Sequence, residues 1–263
     1  MIICPLCNKA LKQINNSFKC SNNHNYDLSK EGYLNLLLNR KNAGDNKVMV
    51  ASRKAFLDKG YFNQLREYLE NLLPKYNLLN KDILDLGCGD GFYSSAIGSS
   101  TNLIGIDISK EAIKIAAKRD KVSRYIVASI NNLPLAQNSV DGIINIFAPI
   151  DEDEVARVLK SSGLLIKVSP ATDHLIELKE VLYDNVYPTS EKEISNSRLL
   201  LLEESRLTYK RTVNNEDLLH LVKMTPYFYT TRIENLKKLN SIKQLAITFS
   251  FKIDCYQHKA ISS

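Results

Sequence analysis

Between residues 81 and 170 short apolar runs alternate with amphipathic stretches, the pattern of strands separated by helices. Ile83-Leu84-Asp85-Leu86 predicts a strand that runs into Gly87-Cys88-Gly89-Asp90-Gly91, followed by a helical stretch over 92–97. Residues 102–106 predict a second strand ending at Asp107. Ser109 then caps a helix to Lys118, with Glu111 in its first turn and Ala112, Ile113, Ile115 and Ala116 on its apolar face. Further strands are predicted at 125–128, 142–147 and 163–168, with a helix near 153–159 before the last. Strands joined by helices of this length imply a mostly parallel α/β sheet. Upstream, helices are predicted over 49–57, stopped by Gly60, and over 62–73. Downstream, 214–222 predicts a helix and 245–253 a final strand that completes the sheet. Tyr183, Tyr187 and residues 190–197 read as an exposed excursion, and Glu203, Glu204, Arg206, Lys210 and Arg211 as solvated charges of a helix.

Composition changes this picture little. The 263 residues are 44% apolar and 24% charged, which fits one large domain with a small appendage and excludes a disordered chain. Apolar stretches such as Leu36-Leu37-Leu38 and Leu199 to Leu202 are far too short to span a bilayer, and no signal peptide is recognisable. A cytoplasmic protein without membrane association is expected. Charge adds more. Residues 1–80 carry twelve Lys and Arg against six Asp and Glu, whereas the remainder holds twenty-three of each sign. A neutral body with a basic N-terminal end points to an anionic partner at that end; a solvated face without function gives the same count.

Three of the five cysteines crowd into the first twenty residues, as Cys4-x2-Cys7-x12-Cys20-x3-His24. An x2 spacing lets two thiolates of one tight turn reach one metal, and a second turn supplies the other two ligands of a tetrahedral zinc. Asn8, Asn15, Asn16, Asn22 and Asn23 mark the turns, and Phe18 and Tyr26 flank the second knuckle. An odd cysteine count argues against disulfides. Four protein ligands leave no open coordination position, so the metal is structural, and it substitutes for a core in a module too short to build one.

The glycine pattern Asp85-x-Gly87-x-Gly89-x-Gly91 permits a tight turn and close approach of backbone N–H groups to a ligand. A dinucleotide fingerprint would place its third glycine one residue later, and here an Asp precedes the first glycine. Asp107, at the end of the second strand, is positioned to accept both ribose hydroxyls. Asp82 to Ser169 resembles the class I S-adenosylmethionine-dependent methyltransferases, which implies the Rossmann-like fold of that class. The resemblance implies that Asp85 and the glycine loop hold the methionine part, Asp107 the ribose, and Ala128-Ser129 the adenine. Leu133-Pro134-Leu135 and Ser139-Val140-Asp141 resemble the lead into that family's fourth strand. Cys88 is read as a small buried residue.

Further motifs follow one order: Lys30-Glu31-Gly32-Tyr33, Gly44-Asp45, Ala51-x-Arg53-x-Ala55-Phe56-Leu57-Asp58-x-Gly60, Phe147-Ala148-Pro149, His174-Leu175-x-Glu177-Leu178 and Met224-Thr225-Pro226. Together with the zinc and glycine motifs, they make the whole chain similar to the bacterial 23S rRNA (guanine-N1)-methyltransferases, the RlmA family. The resemblance implies zinc on Cys4, Cys7, Cys20 and His24 in a module that helps recognise an rRNA hairpin. It implies methyl-donor contacts at Phe62, Tyr93, Ser94 and His174, a target guanine in a domain II hairpin loop of 23S rRNA, and a homodimer. The chain departs from the family at Phe62, where Tyr is common, and in having no Trp; Tyr227, Phe228 and Tyr229 follow the Met-Thr-Pro motif instead. The expected organisation is a zinc module over 1–36, basic linking helices over 37–80 and a methyltransferase domain over 81–263. Asp90 and His174 are candidate bases for the guanine N1 proton. On residues alone, Asp90 reads equally as a helix cap and His174 as first-turn surface. Competing readings are a class I methyltransferase of another RNA or a small molecule, a non-catalytic zinc RNA-binding protein, and a dehydrogenase.

Overall fold

A computed structural model describes residues 1–38, 44–186 and 193–259. Tyr187 and part of the stretch expected to be an exposed excursion lie outside these residues, as does part of the linking region.

The chain opens with a three-stranded antiparallel sheet, β1 (Lys12–Ile14), β2 (Ser17–Lys19) and β3 (Asn25–Asp27). There follow β4 (Leu34–Asn35), α1 (Lys47–Asp58) and α2 (Asn63–Lys75), then the α/β body: β5 (Asp82–Leu86), α3 (Ser94–Ile97), β6 (Asn102–Asp107), α4 (Lys110–Arg119), β7 (Arg124–Val127), β8 (Val140–Ile146), α5 (Glu152–Val158), β9 (Leu159–Pro170) and α6 (Ile176–Leu182). The last part holds β10 (Leu199–Asn214), α7 (Asn215–Lys223), α8 (Tyr227–Thr230), α9 (Ile233–Lys238) and β11 (Gln244–His258).

Eight strands form the main sheet in the order β10-β11-β9-β8-β5-β6-β7-β4. From β9 to β4 every pairing is parallel; β11 runs antiparallel to both β9 and β10. This is the mostly parallel sheet expected, and β5 lies inside it with all but its first residue buried. The helix predicted after Ser109 is α4, and its Ser109 side chain accepts from the Ala112 N–H as an N-cap does.

One part differs from expectation. The charges at Glu203, Glu204, Arg206, Lys210 and Arg211 belong to the strand β10, not to a helix. Along it Ser205, Leu207 and Tyr209 are half-buried while Glu204, Arg206, Thr208 and Lys210 are exposed, a period of two. Edge strands carry charge because their outer backbone groups would otherwise template association, so charge density there is no sign of helix. The expected final strand is β11, which joins the sheet between β9 and β10.

Ile2, Cys4, Leu11, Phe18 and Cys20 of the N-terminal module share one buried apolar cluster with Leu84, Leu86, Leu133, Leu135 and Ile143 of the body. The Ile3 N–H donates to the Pro134 carbonyl at 2.9 Å and the Ala136 N–H to the Met1 carbonyl at 2.9 Å. Leu34 and Asn35 pair with Ile126 and Val127, adding β4 to the sheet. Among the described residues no helix is long and apolar enough to cross a membrane.

Candidate metal centre and methyl-donor site

Two turns build the metal centre. In the first, the Cys4 N–H donates to the Lys9 carbonyl and the Asn8 N–H to the Cys4 carbonyl, both at 2.8 Å; in the second, Asn23 donates to Cys20 at 3.0 Å. Each turn includes an asparagine at positive φ, Asn8 at 57° and Asn23 at 62°, a region that asparagine tolerates better than most side chains. The ligand atoms of Cys4, Cys7, Cys20 and His24 all lie within 4.8 Å of one another. His24 Nδ1 is 3.3 Å from Cys4 Sγ and 3.4 Å from Cys20 Sγ, and the Cys7 and Cys20 sulfurs are 3.6 Å apart. Tetrahedral zinc with Zn–S bonds of about 2.3 Å separates its sulfurs by about 3.8 Å, so this donor set fits the metal. The Tyr26 hydroxyl lies 3.3 Å from Cys4 Sγ. Burial works against the Cys4 thiolate, but the Tyr26 hydroxyl and the Leu6 and Cys7 backbone groups outweigh it and bring the thiol down to about 6.

The second site lies at the C-terminal ends of the parallel strands, where open α/β sheets bind ligands. Gly87, Gly89 and Gly91 have φ of 78°, 55° and 76°. A Cβ on Gly87 would stand 2.3 Å from the Ala148 Cβ, and one on Gly91 2.8 Å from the Ala116 Cβ; above Gly89 nothing lies within 4 Å. Two of the glycines are thus packing necessities, and the middle one leaves open space for a ligand.

Asp85, 2% exposed, accepts from the Ser94 hydroxyl at 2.5 Å. Burial pushes its carboxyl up to about 7; the Ser94 bond opposes this and the Asp107 charge adds to it. Asp107 is half-buried and accepts from the Gly89 N–H at 3.0 Å and the Ser109 N–H at 2.7 Å, which tie its carboxylate to both neighbouring turns. Burial raises its pKa against those two amides. The Tyr93 hydroxyl is buried and has no hydrogen-bond partner among the described residues. An orphaned phenol, an open cradle over Gly89 and a half-buried ribose-type acid fit S-adenosylmethionine.

Ser129 is half-buried just beyond β7, and its hydroxyl accepts from the Asn131 N–H at 3.2 Å. Phe62 stands in an aromatic wall: its ring centre is 5.3 Å from Phe249, 5.4 Å from Phe251 and 6.4 Å from Phe147. His174 is in the same wall, 5.0 Å from Phe251, and is 7% exposed rather than on the surface. Its Nδ1 accepts the Ser250 N–H at 3.2 Å, and burial lowers its pKa to about 4. Asp90 is 2% exposed and paired with Arg119 at 2.9 Å, while Arg119 also reaches Asp58 at 2.8 Å. Burial raises the Asp90 pKa against the Arg119 and Arg53 charges.

Sequence reasoning missed one constellation. Arg53 of α1 is ion-paired with Asp45 and donates to the Met224 carbonyl at 3.2 Å, while the Ser109 hydroxyl donates to the Asp45 carbonyl at 3.1 Å. The motifs Gly44-Asp45, Arg53 and Met224-Thr225-Pro226, far apart in sequence, thus converge beside the turn after Asp107. A surface cavity of about 180 Å³ lined by Lys81, Asp141, Lys160 and Ser162 lies at the opposite ends of the strands.

Residues 2–43 match the zinc-ribbon family described as RlmA, N-terminal, and residues 84–167 match a methyltransferase domain family. YxjB of Bacillus subtilis (strain 168), which carries the provisional name of a 23S rRNA (guanine-N1)-methyltransferase, is 30% identical over 96% of this chain and 95% of its own length. The chain belongs to the family of 23S rRNA (guanine-N1)-methyltransferases. The 23S rRNA (guanine(748)-N1)-methyltransferase of Streptomyces fradiae is 32% identical over 68% of this chain and 66% of its own. Among solved structures, the YcgJ protein of Bacillus subtilis superposes with a TM-score of 0.51 at 16% identity, covering 73% of this chain and 98% of its own, which shows the shared fold. The chain is therefore an S-adenosylmethionine-dependent methyltransferase with an N-terminal zinc ribbon.

Proposed function

We propose that this enzyme methylates N1 of a guanine in a domain II hairpin loop of 23S rRNA. The observation that carries this reading is similarity along the whole chain to a relative named for that reaction, with the zinc centre and methyl-donor site both intact. The basic excess of residues 1–80 supports an anionic partner at the zinc-bearing end. In this reading residues 1–36 and 37–80 present RNA to the body at 81–263. Gly87, Gly89 and Gly91 enclose the methionine end of the cofactor, Asp85 faces its amine, Asp107 its ribose and Ser129 its adenine. Tyr93 and Ser94 line the loop, and Phe62 and His174 bound the methyl end. The resemblance also predicts a homodimer, read by light scattering in solution, and a cytoplasmic site of action.

The bound cofactor supplies an electrophilic sulfonium methyl: as the bond to guanine N1 forms, the S–C bond breaks, leaving a thioether. The protein's task is alignment and exclusion of competing geometries. Guanine N1 lies on the pairing edge, so the base must be unpaired and presented edge-first. Asp90 is engaged by Arg119, and His174 Nδ1 by Ser250. The reading therefore sends the N1 proton to water rather than to either candidate base.

Labelled methyl transfer to unmodified 23S rRNA followed by primer extension tests it. Reverse transcriptase stopping beside one guanine of the domain II hairpin is expected, because N1 methylation blocks pairing. Label without a stop would move the target off the pairing edge; no label despite cofactor binding would refute rRNA as substrate.

A further inference from the structure

The aromatic wall contains an element that packing alone does not explain. Phe147, immediately after β8, has φ of 55° and is 43% exposed. A large side chain in the left-handed region is disfavoured and persists where something else requires it. Its turn is fixed to the methyl-donor loop. Ala148 packs against Gly87, and the Asn145 side chain donates to the Leu86 carbonyl at 3.1 Å and the Pro149 carbonyl at 3.4 Å. The strained ring is therefore held over the end of β5, beside the site where the methyl is delivered. Its neighbours are Phe251 at 5.7 Å, His174 at 6.2 Å and Phe62 at 6.4 Å.

His174 adds chemistry to this wall. A neutral imidazole carries one N–H, and Nδ1 is occupied as acceptor by the Ser250 amide. The proton is therefore on Nε2, and that nitrogen is a donor. Guanine differs from adenine at position 6, where it has a carbonyl oxygen in place of an amino group. As N1 loses its proton, negative charge spreads to that oxygen. A fixed N–H donor at the wall favours guanine, opposes the adenine amino group and stabilises the charge that makes N1 nucleophilic.

We propose that Phe147 and His174 form the base-reading surface of the enzyme: the exposed Phe147 ring stacks on the target purine and the His174 Nε2–H donates to its six-position oxygen. This deepens the proposed function and rests on guanine being the methyl acceptor. The bond formed is N1–CH3, the bond broken is S–CH3, and the N1 proton leaves to water.

The test measures steady-state transfer to a domain II transcript by wild-type enzyme and by Phe147→Gly, Phe147→Tyr, His174→Phe and His174→Gln. Zinc content and circular dichroism confirm folding. Glycine adopts the Phe147 backbone without strain, so Phe147→Gly is expected to keep the thermal midpoint while raising KM for RNA roughly 5- to 150-fold, the value of one base–aromatic stack. Phe147→Tyr keeps the ring and stays near wild type. His174→Phe is expected to lower kcat on the order of 100-fold and to shift the rise of rate with pH upward, because the N1 proton is no longer made more acidic by the donor. His174→Gln, which keeps an N–H near the Nε2 position, recovers part of the loss. An unchanged RNA KM in Phe147→Gly overturns the stacking role. A pH profile unmoved in His174→Phe, or no recovery in a folded His174→Gln, overturns the donor. Absence of transfer by the wild-type enzyme itself refutes the rRNA reading instead.

Discussion

The zinc centre and the methyl-donor site are both made from tight turns, yet they recruit their parts differently. Every zinc ligand comes from twenty-one consecutive residues, and two asparagine-closed turns bring four ligand atoms within 4.8 Å. In the proposed reading the methyl-donor site takes Asp85 and the glycine loop from the end of β5, Asp107 from β6 and His174 from the turn before α6, with Asp45 and Arg53 of the linking region beside it. The first is complete once its own short segment closes around metal. The second exists only when the sheet has brought distant strand ends to one side. A local site therefore fails through its ligands, and an assembled site fails through its supports.

The sharpest way to break this comparison is to remove one zinc ligand. Cys7→Ser, the least buried of the four-ligand set's cysteines, should reduce bound zinc to none by metal analysis and weaken RNA binding. Cofactor affinity should stay within about threefold, because no methyl-donor residue lies in the zinc module. A collapse of cofactor affinity would show that the shared apolar cluster couples the two sites. Next in size is Asp107→Ala. Losing two charge-assisted ribose bonds, and the anchor for the Gly89 and Ser109 amides, should weaken cofactor binding by about 100-fold or more by calorimetry.

Two glycines then separate support from site. Gly87→Ala should cost about 2–5 kcal/mol of stability, since its Cβ meets Ala148 in a backbone region hostile to side chains. Gly89→Ala should cost only about 1 kcal/mol in denaturant titration while still lowering cofactor affinity, because it fills space that is open in the free protein. A last effect is one of pH. Asp85 is held near 7 by burial, above its unfolded value, so the folded state binds more protons than the unfolded one between about pH 4 and 7. Stability without cofactor should therefore fall as pH rises through that window, on the order of a few kcal/mol, and then level off. Asp85→Asn should flatten the slope; an equal slope in that variant would assign it to other groups.

Legibility in the sequence follows the same division. The zinc set and the glycine loop could be read because their geometry is local: spacing fixes which atoms share a turn. The cap at Ser109 and the strands from β5 to β9 were readable for the same reason. The strand β10 is not legible from its charges, which fit a solvated helix face equally well; only the alternation of Ser205, Leu207 and Tyr209 with exposed neighbours marks it as a strand. The contact of Arg53 with Met224 has no local signal, since it joins residues 171 apart in the chain. His174 read as surface because the sequence does not show that β11 supplies Ser250, Phe249 and Phe251 to bury it.

That insertion of β11 has a consequence for the order in which a nascent chain becomes competent. The central strands can pair as they emerge from the ribosome, and the metal-binding turns sooner still. But β9 keeps an open edge and β10 has no strand beside it until Gln244–His258 has been made. The same late strand provides the amide that sets the His174 tautomer and the rings that enclose it. The strand β11 must be made before the wall that buries His174 exists, so a chain translated only through β10 can hold zinc and begin its sheet but lacks that wall.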